Sequence, residues 1–189
     1  MSTIQVDLRR RLASVVIAGD SLAACCPFSR LWARPLATLN LARGGARLAD
    51  VAAQLRGAPR RAALSFVIDG GLNDLLGAGA STASIQRDFR AVLDALPCPA
   101  RAIFTLMPHV SDEAEAPRID AANAEMAELC RSRSVAVLDL NPIVSRGGAR
   151  LPEMTGDGLH FTLRANALWL QALRPMLKAL VLRAESLGR

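Results

Sequence analysis

Ala13-Ser14-Val15-Val16-Ile17-Ala18-Gly19-Asp20-Ser21-Leu22 is an apolar run that stops abruptly at a small, polar turn carrying a serine. Its length and β-branched content predict a buried strand over Ala13–Ala18, which puts Ser21 just past the strand's carboxyl end. Open α/β sheets bind their ligands at that edge. Taken alone, a serine or aspartate at a strand–helix junction is more often a helix cap than a reacting group. The turn acquires a chemical meaning only from what the rest of the chain brings to it.

Outward from this run, short apolar segments alternate with segments of helical period, the pattern of a parallel sheet covered by helices on both faces. Further strands are expected at Ala37–Leu41, Ala62–Ile68, Arg101–Leu106 and Val135–Leu140. Between them, Ala46–Arg56 gathers Leu48, Val51, Ala52 and Leu55 on one face. Ser84–Leu96 does the same with Ile85, Phe89, Val92 and Leu96, and Ile119–Arg131 with Ile119, Ala122, Met126 and Leu129. A last helix is expected over Leu163–Leu182, bent or interrupted near Pro175 because proline removes a helix hydrogen bond. Its Trp169, Leu170 and Leu173 read as core. A short helix is expected within Cys25–Pro35, bracketed by Pro27 and Pro35. Three connections are longer and richer in Gly, Pro and polar residues: Asp69–Ala80, Met107–Arg118 and Asn141–Phe161.

The chain of 189 residues has no internal repeat or linker and reads as one domain over 1–189, large enough for a core without disulfides or metals. It is 51% apolar and 4% aromatic, and no apolar run approaches the roughly 18 residues of a membrane span. The net charge of +6 raises the question of a nucleic-acid partner. Lys178 is the only lysine among 23 basic residues, the arginines are scattered apart from Arg9-Arg10-Arg11 and Arg60-Arg61, and there is no tyrosine for stacking on bases. An arginine-rich solvated surface with no nucleic-acid partner is the expectation. Cys25, Cys26, Cys98 and Cys130 lack metal-ligand spacing and are read as small buried thiols, suited to a reducing cytoplasm. Residues 1–11 are polar and carry no export-type pattern, so the expected location is cytoplasmic. The oligomeric state is left open.

A serine hydroxyl is a weak nucleophile until a base takes its proton, and the base needs a carboxylate to hold its tautomer. Only two histidines are available. His160 lies in Asp157-Gly158-Leu159-His160, where an i, i+3 spacing on a tight turn brings carboxylate and imidazole to one side. His109 has no acid at such a spacing, although Asp112 and Glu113 follow it. Acyl transfer also needs N–H donors aimed at the developing oxyanion. Gly44-Gly45 follows the second strand, Asn73 of Gly71-Leu72-Asn73-Asp74 follows the third, and Ser21 supplies its own N–H. Asp20 is read as a turn or capping carboxylate. Arg43 and His109 are the candidates for contacting substrate, Arg43 with Arg47 beside the glycines and His109 with Met107-Pro108 along the cleft.

With these residues in place the sequence resembles the SGNH hydrolases, the GDSL-type esterases and lipases. Gly19-Asp20-Ser21-Leu22 is similar to the family's first block, Asn40-Leu41-Ala42-Arg43-Gly44-Gly45 to its second, Gly71-Leu72-Asn73-Asp74 to its third and Asp157-Gly158-Leu159-His160 to its fifth. The chain departs from the family after the histidine, where Phe161, Thr162 and Ala165 replace proline, asparagine and glycine. The resemblance implies a three-layer α/β/α sandwich with a flavodoxin-like five-stranded parallel sheet of order 2-1-3-4-5. It implies Ser21 as nucleophile, His160 as base and Asp157 as its orienting acid. Ser21, Gly45 and Asn73 are the implied oxyanion donors, with Gly44 as the alternative to Gly45. No cofactor and no metal are expected. The expected activity is hydrolysis of small-acyl esters of a small-molecule alcohol through an acyl-enzyme. Thioesterase or lysophospholipase action, acyl transfer to an alcohol, and a non-catalytic carbohydrate-binding domain are the alternatives.

Overall fold

The computed structural model of the protein describes residues 13–30, 37–60 and 64–187. Five strands, β1 (Ala13–Ala18), β2 (Ala37–Asn40), β3 (Ser65–Ile68), β4 (Ala102–Thr105) and β5 (Ala136–Leu138), form one parallel sheet in the order β2-β1-β3-β4-β5. Val15, Val16, Ile17 and Ala18 of β1, and every residue of β3 and β4, are buried. A strand covered on both faces has no reason to alternate apolar and polar residues, and these do not.

The helices are α1 (Ser21–Cys25), α2 (Leu48–Arg56), α3 (Thr82–Asp94), α4 (Ala116–Ser132), α5 (Asn141–Val144) and α6 (Leu163–Leu187). Neighbouring strand residues point to opposite faces, and β4 shows what each face meets. Phe104 packs on Phe89 of α3, with ring centroids 4.6 Å apart. The Oγ1 of the next residue, Thr105, accepts a 3.1 Å hydrogen bond from Trp169 Nε1 of α6. The sheet therefore lies between two helical layers. The apolar faces expected on α2 and α3 are buried as read, and on α4 Ile119, Ala122 and Met126 are buried while Leu129 is half-buried.

Several expectations are corrected. Arg101 is not part of β4: it closes a 3₁₀ turn at Pro99–Arg101 and its Nε donates to Leu64 O at 2.7 Å. Leu64 itself precedes β3, and the expected strand residues 62–63 lie outside the described residues. No single helix fills the described part of Cys25–Pro35. The chain leaves α1 at Cys25, passes Pro27, and makes a 3₁₀ turn at Phe28–Arg30, while residues 31–36 lie outside the description. α6 runs through Pro175 without interruption. Pro175 and Gln171, whose carbonyl loses its helical donor, are both exposed, so water can satisfy the freed oxygen while Leu173, Leu177 and Leu180 pin the helix from the core. Of the four thiols only Cys26 and Cys130 are buried; Cys25 is exposed and Cys98 half-buried. The connection Asn141–Phe161 holds α5 and a small hairpin of β6 (Ser145–Arg146) and β7 (Ala149–Arg150).

Candidate active site

The turns that follow β1, β2 and β3 meet at one edge of the sheet and are stitched to one another. Arg43 N–H, after β2, donates to Gly19 O, after β1, at 3.1 Å. Asp20 N–H donates to Asp69 Oδ1, after β3, at 3.2 Å. The Asn73 side-chain amide donates to Ala46 O at 2.9 Å, and Leu48 N–H at the start of α2 donates to Asp74 Oδ2 at 3.0 Å. Gly19 makes the approach of Asp69 possible, since a Cβ there would lie 1.5 Å from Asp69 Oδ1.

Ser21 opens α1 and is half-buried; Asp20 caps the helix by accepting Leu22 N–H at 2.9 Å. As the first helical residue, Ser21 directs its N–H out of the helix end. Gly44 and Gly45 are exposed in a turn closed by Ala46 N–H to Arg43 O at 3.2 Å, and Gly45 has φ +72, a left-handed conformation that suits glycine. Asn73 is half-buried at the head of a single π-helical turn, Asn73–Gly77. Its bond to Ala46 uses one amide hydrogen and leaves the other for a ligand.

His160 comes from the far end of the chain. Its Nε2 lies 3.0 Å from Ser21 Oγ and its Nδ1 lies 2.6 Å from Asp157 Oδ2. In the tautomer that the carboxylate selects, Nδ1–H donates to Asp157 and Nε2 is free to accept the serine proton. The other oxygen of Asp157 accepts the N–H groups of His160 at 2.7 Å and Leu159 at 2.9 Å. The bond to the His160 ring, followed by these backbone bonds, holds the Asp157 carboxyl well below the usual carboxylate range. Thr155 Oγ1 accepts Gly158 N–H at 2.9 Å, and Ser111 N–H donates to Gly158 O at 2.9 Å, so the turn is tied down on two sides. The arrangement can take a proton from a serine oxygen and hold the resulting imidazolium against a fixed carboxylate.

Three residues escaped the sequence reading. Arg150 of β7 is buried beneath the histidine turn: it donates to Leu159 O, its guanidinium carbon sits 4.6 Å from the Phe161 ring centroid, and burial pushes it down to about 10. It is one arginine among many, and no spacing marks it. Asp120 of α4 lies 2.8 Å from His109 Nε2, eleven residues along the chain, where no local pattern would look for it. His109 is buried there, its backbone N–H held by Asn141 Oδ1 at 2.7 Å, and its ring is committed to Asp120 rather than to Ser21 or His160. Asp69 is the third. Phe161 stacks edge-on with Trp169 at 5.8 Å, and Thr162 Oγ1 accepts Ala165 N–H at 3.3 Å to cap α6, so two of the departures after the histidine have structural roles. Arg43 is exposed beside Gly44-Gly45, on a groove of about 570 Å³ also lined by Asn40, Asp50 and Gln54.

The sequence profile of the GDSL-like lipase/acylhydrolase family matches residues 17–168, from within β1 to past His160. The chain belongs to that family. The fold is similar to that of a lipase/acylhydrolase from Enterococcus faecalis, with a TM-score of 0.71, 20% identity and coverage of 87% of this chain and 95% of that one. It is also similar to a carbohydrate esterase family 3 protein from Talaromyces cellulolyticus, with a TM-score of 0.69, 16% identity and coverage of 88% and 97%. A curated relative from Streptococcus agalactiae, named N-acylneuraminate cytidylyltransferase, is 27% identical over 167 residues. That stretch is 85% of this GDSL-family chain and 38% of the relative, so the chain spans well under half of the relative's length. Among the described residues no helix is long and apolar enough to cross a membrane.

Proposed function

We propose that the protein is a serine esterase that hydrolyses short-acyl esters, acetyl esters foremost, of small polyhydroxy alcohols through an acyl-enzyme on Ser21. The observation that carries this reading is the line from Ser21 Oγ through His160 to Asp157, with its 3.0 Å and 2.6 Å links. In the first half of the cycle His160 takes the Ser21 proton as the oxygen attacks the acyl carbonyl. The oxyanion is received by the N–H groups of Ser21 and Gly45 and by the free amide hydrogen of Asn73. His160 then protonates the leaving alcohol. In the second half a water gives its proton to His160, attacks the acyl-enzyme and releases the acid, returning the proton to Ser21.

Short acyl groups are favoured by the surroundings of Ser21. The small cavity beneath its turn, with Leu22, Leu72, Met107, Phe161 and Trp169 among its walls, is about 10 Å³, room for little more than one water or methyl group. The polar groove beside Gly45, with Arg43 on its rim, suits a hydroxylated alcohol. The test is labelling by a fluorophosphonate together with hydrolysis of a p-nitrophenyl ester series of increasing acyl length and of acetylated sugars. The expected outcome is one label on Ser21, fastest turnover of acetyl esters, and a loss of about 10⁴-fold or more in kcat in Ser21→Ala. Unlabelled Ser21, or wild-type rates in Ser21→Ala, would sink the assignment. Product analysis with a competing alcohol present separates hydrolysis from transfer.

A further inference from the structure

Beneath the Ser21 turn two acidic side chains are buried close together. Asp69, at the carboxyl end of β3, is 4% exposed, and Asp20, the residue before Ser21, is 2% exposed. Asp69 Oδ1 accepts Asp20 N–H, whereas Asp69 Oδ2 is buried and receives no hydrogen bond from any described residue. The Asp20 backbone is joined to the Asp69 carboxyl by that 3.2 Å bond, and the two residues line the same small cavity. Neither forms an ion pair with an arginine or lysine among the described residues. The cavity beside them is about 10 Å³, and its other walls include Leu22, Leu72 and Trp169. The titratable groups that face the pair are His160, Asp74 and Cys26.

We propose that Asp69 is a neutral carboxylic acid that shares one proton with Asp20, and that the resulting acid–carboxylate pair is a positioning device for the turn carrying Ser21. Two carboxylates side by side in a low-dielectric site do not both ionise, because each raises the cost of charging the other. Burial is the largest effect on Asp69 and drives its carboxyl well above the usual range, with the Asp20 charge adding to it. A proton on Asp69 makes it an O–H donor toward the Asp20 carboxylate.

The consequence for Ser21 follows from the anchors on either side of it. Asp20 N–H is fixed to Asp69, and the Asp20 carboxylate, fixed in turn by the shared proton, holds Leu22 N–H. Ser21 sits between two tethered residues, which sets the direction of its N–H and of Oγ toward His160. One proton on the pair also removes one of two negative charges that would oppose an oxyanion forming at Ser21. The positioning role rests on Ser21 being the nucleophile; the shared proton does not.

Asp69→Asn is the deciding variant. Its amide keeps the acceptor for Asp20 N–H and offers an N–H to the Asp20 carboxylate, in place of the acid O–H. Its kcat is expected within about threefold of wild type, less than one typical net hydrogen bond. Asp69→Ala leaves Asp20 without either partner and is expected to lower kcat by about 10²-fold at unchanged KM, the effect of a misdirected nucleophile. Asp69→Asn as inactive as Asp69→Ala would show that an ionised carboxylate is needed and overturn the proposal, as would wild-type kcat in Asp69→Ala. Infrared difference spectra of wild type minus Asp69→Asn at neutral pH read the proton directly, whether or not the protein hydrolyses esters. A protonated-carboxyl stretching band is expected in wild type and not in the variant; its absence from wild type overturns the shared proton.

Discussion

The proposed mechanism gives Asn73 two duties on one amide group, and they can be separated by experiment. One hydrogen fastens the turn after β2 through Ala46 O, and the other is assigned to the oxyanion. Asn73→Ala is expected to lower kcat/KM by about 10²-fold while leaving the fold intact by circular dichroism; unchanged kcat/KM would remove Asn73 from the oxyanion site. Arg150 poses the complementary case. It grips Leu159 and Phe161, the residues on either side of His160, yet it is a buried charge with two guanidinium nitrogens unpartnered. Replacing a buried charge by an apolar side chain of similar length is often neutral or stabilising. Arg150→Met is therefore expected to hold or raise Tm while lowering kcat about tenfold through a loosened histidine. A parallel fall in Tm and no change in kcat would make Arg150 a purely structural residue. The reactivity of the thiols divides in the same local way: Cys25 is exposed, whereas burial raises Cys26 and pushes Cys130 up to about 12. A thiol reagent is expected to modify Cys25 in the folded protein and Cys26 and Cys130 only after denaturation.

The elements matter through their ends. α2 begins where Leu48 N–H meets the carboxylate of Asp74 from the turn after β3, and where Asp50 Oδ2 reaches back to Arg47 N–H at 2.9 Å. A carboxylate at a helix start satisfies an orphan donor and favours the helix dipole. Asp74→Ala is expected to cost about 1–2 kcal/mol of stability and, because only Ala46 and Arg47 separate α2 from Gly44-Gly45, to lower kcat as well. Urea unfolding and esterase kinetics on the one variant check both; full stability with full activity would refute the link. Existence and type of the strands and crossover helices were legible because apolar spacing is a local property. Their ends were less so: Arg101 fell out of β4 because Pro99 bends the chain into a turn, and α6 survived Pro175 because the proline and the carbonyl it frees both face solvent.

For the molecule as a whole, pH is expected to act through buried and exposed carboxyls in opposite directions. Asp69, Asp20 and Asp74 are raised, burial being the largest cause for each. A folded-state carboxyl that holds its proton above the unfolded value binds more protons than the unfolded chain does, so its stabilisation is full at low pH and is lost as pH rises through the folded value. Asp157, held low, contributes above the unfolded value and loses that contribution as pH falls. Urea unfolding across pH is thus expected to show wild type losing stability relative to Asp69→Asn as pH climbs out of the ordinary carboxylate range; parallel curves would refute it. The parts of the molecule can be read from the chain alone: the parallel α/β alternation, and the side chains Ser21, Asn73, Asp157 and His160 with their glycine turn. Each of those is written in a short stretch, because strand and helix period, turn residues and an i, i+3 acid–histidine pair are local. How the parts meet is settled only in three dimensions: His160 against Ser21 at 3.0 Å across 139 residues of chain, His109 turned to Asp120, Arg150 under the histidine turn, and Asp69 against Asp20. Those are contacts between elements, set by strand order and by which groups are shut away from water, and neither is encoded in any one segment.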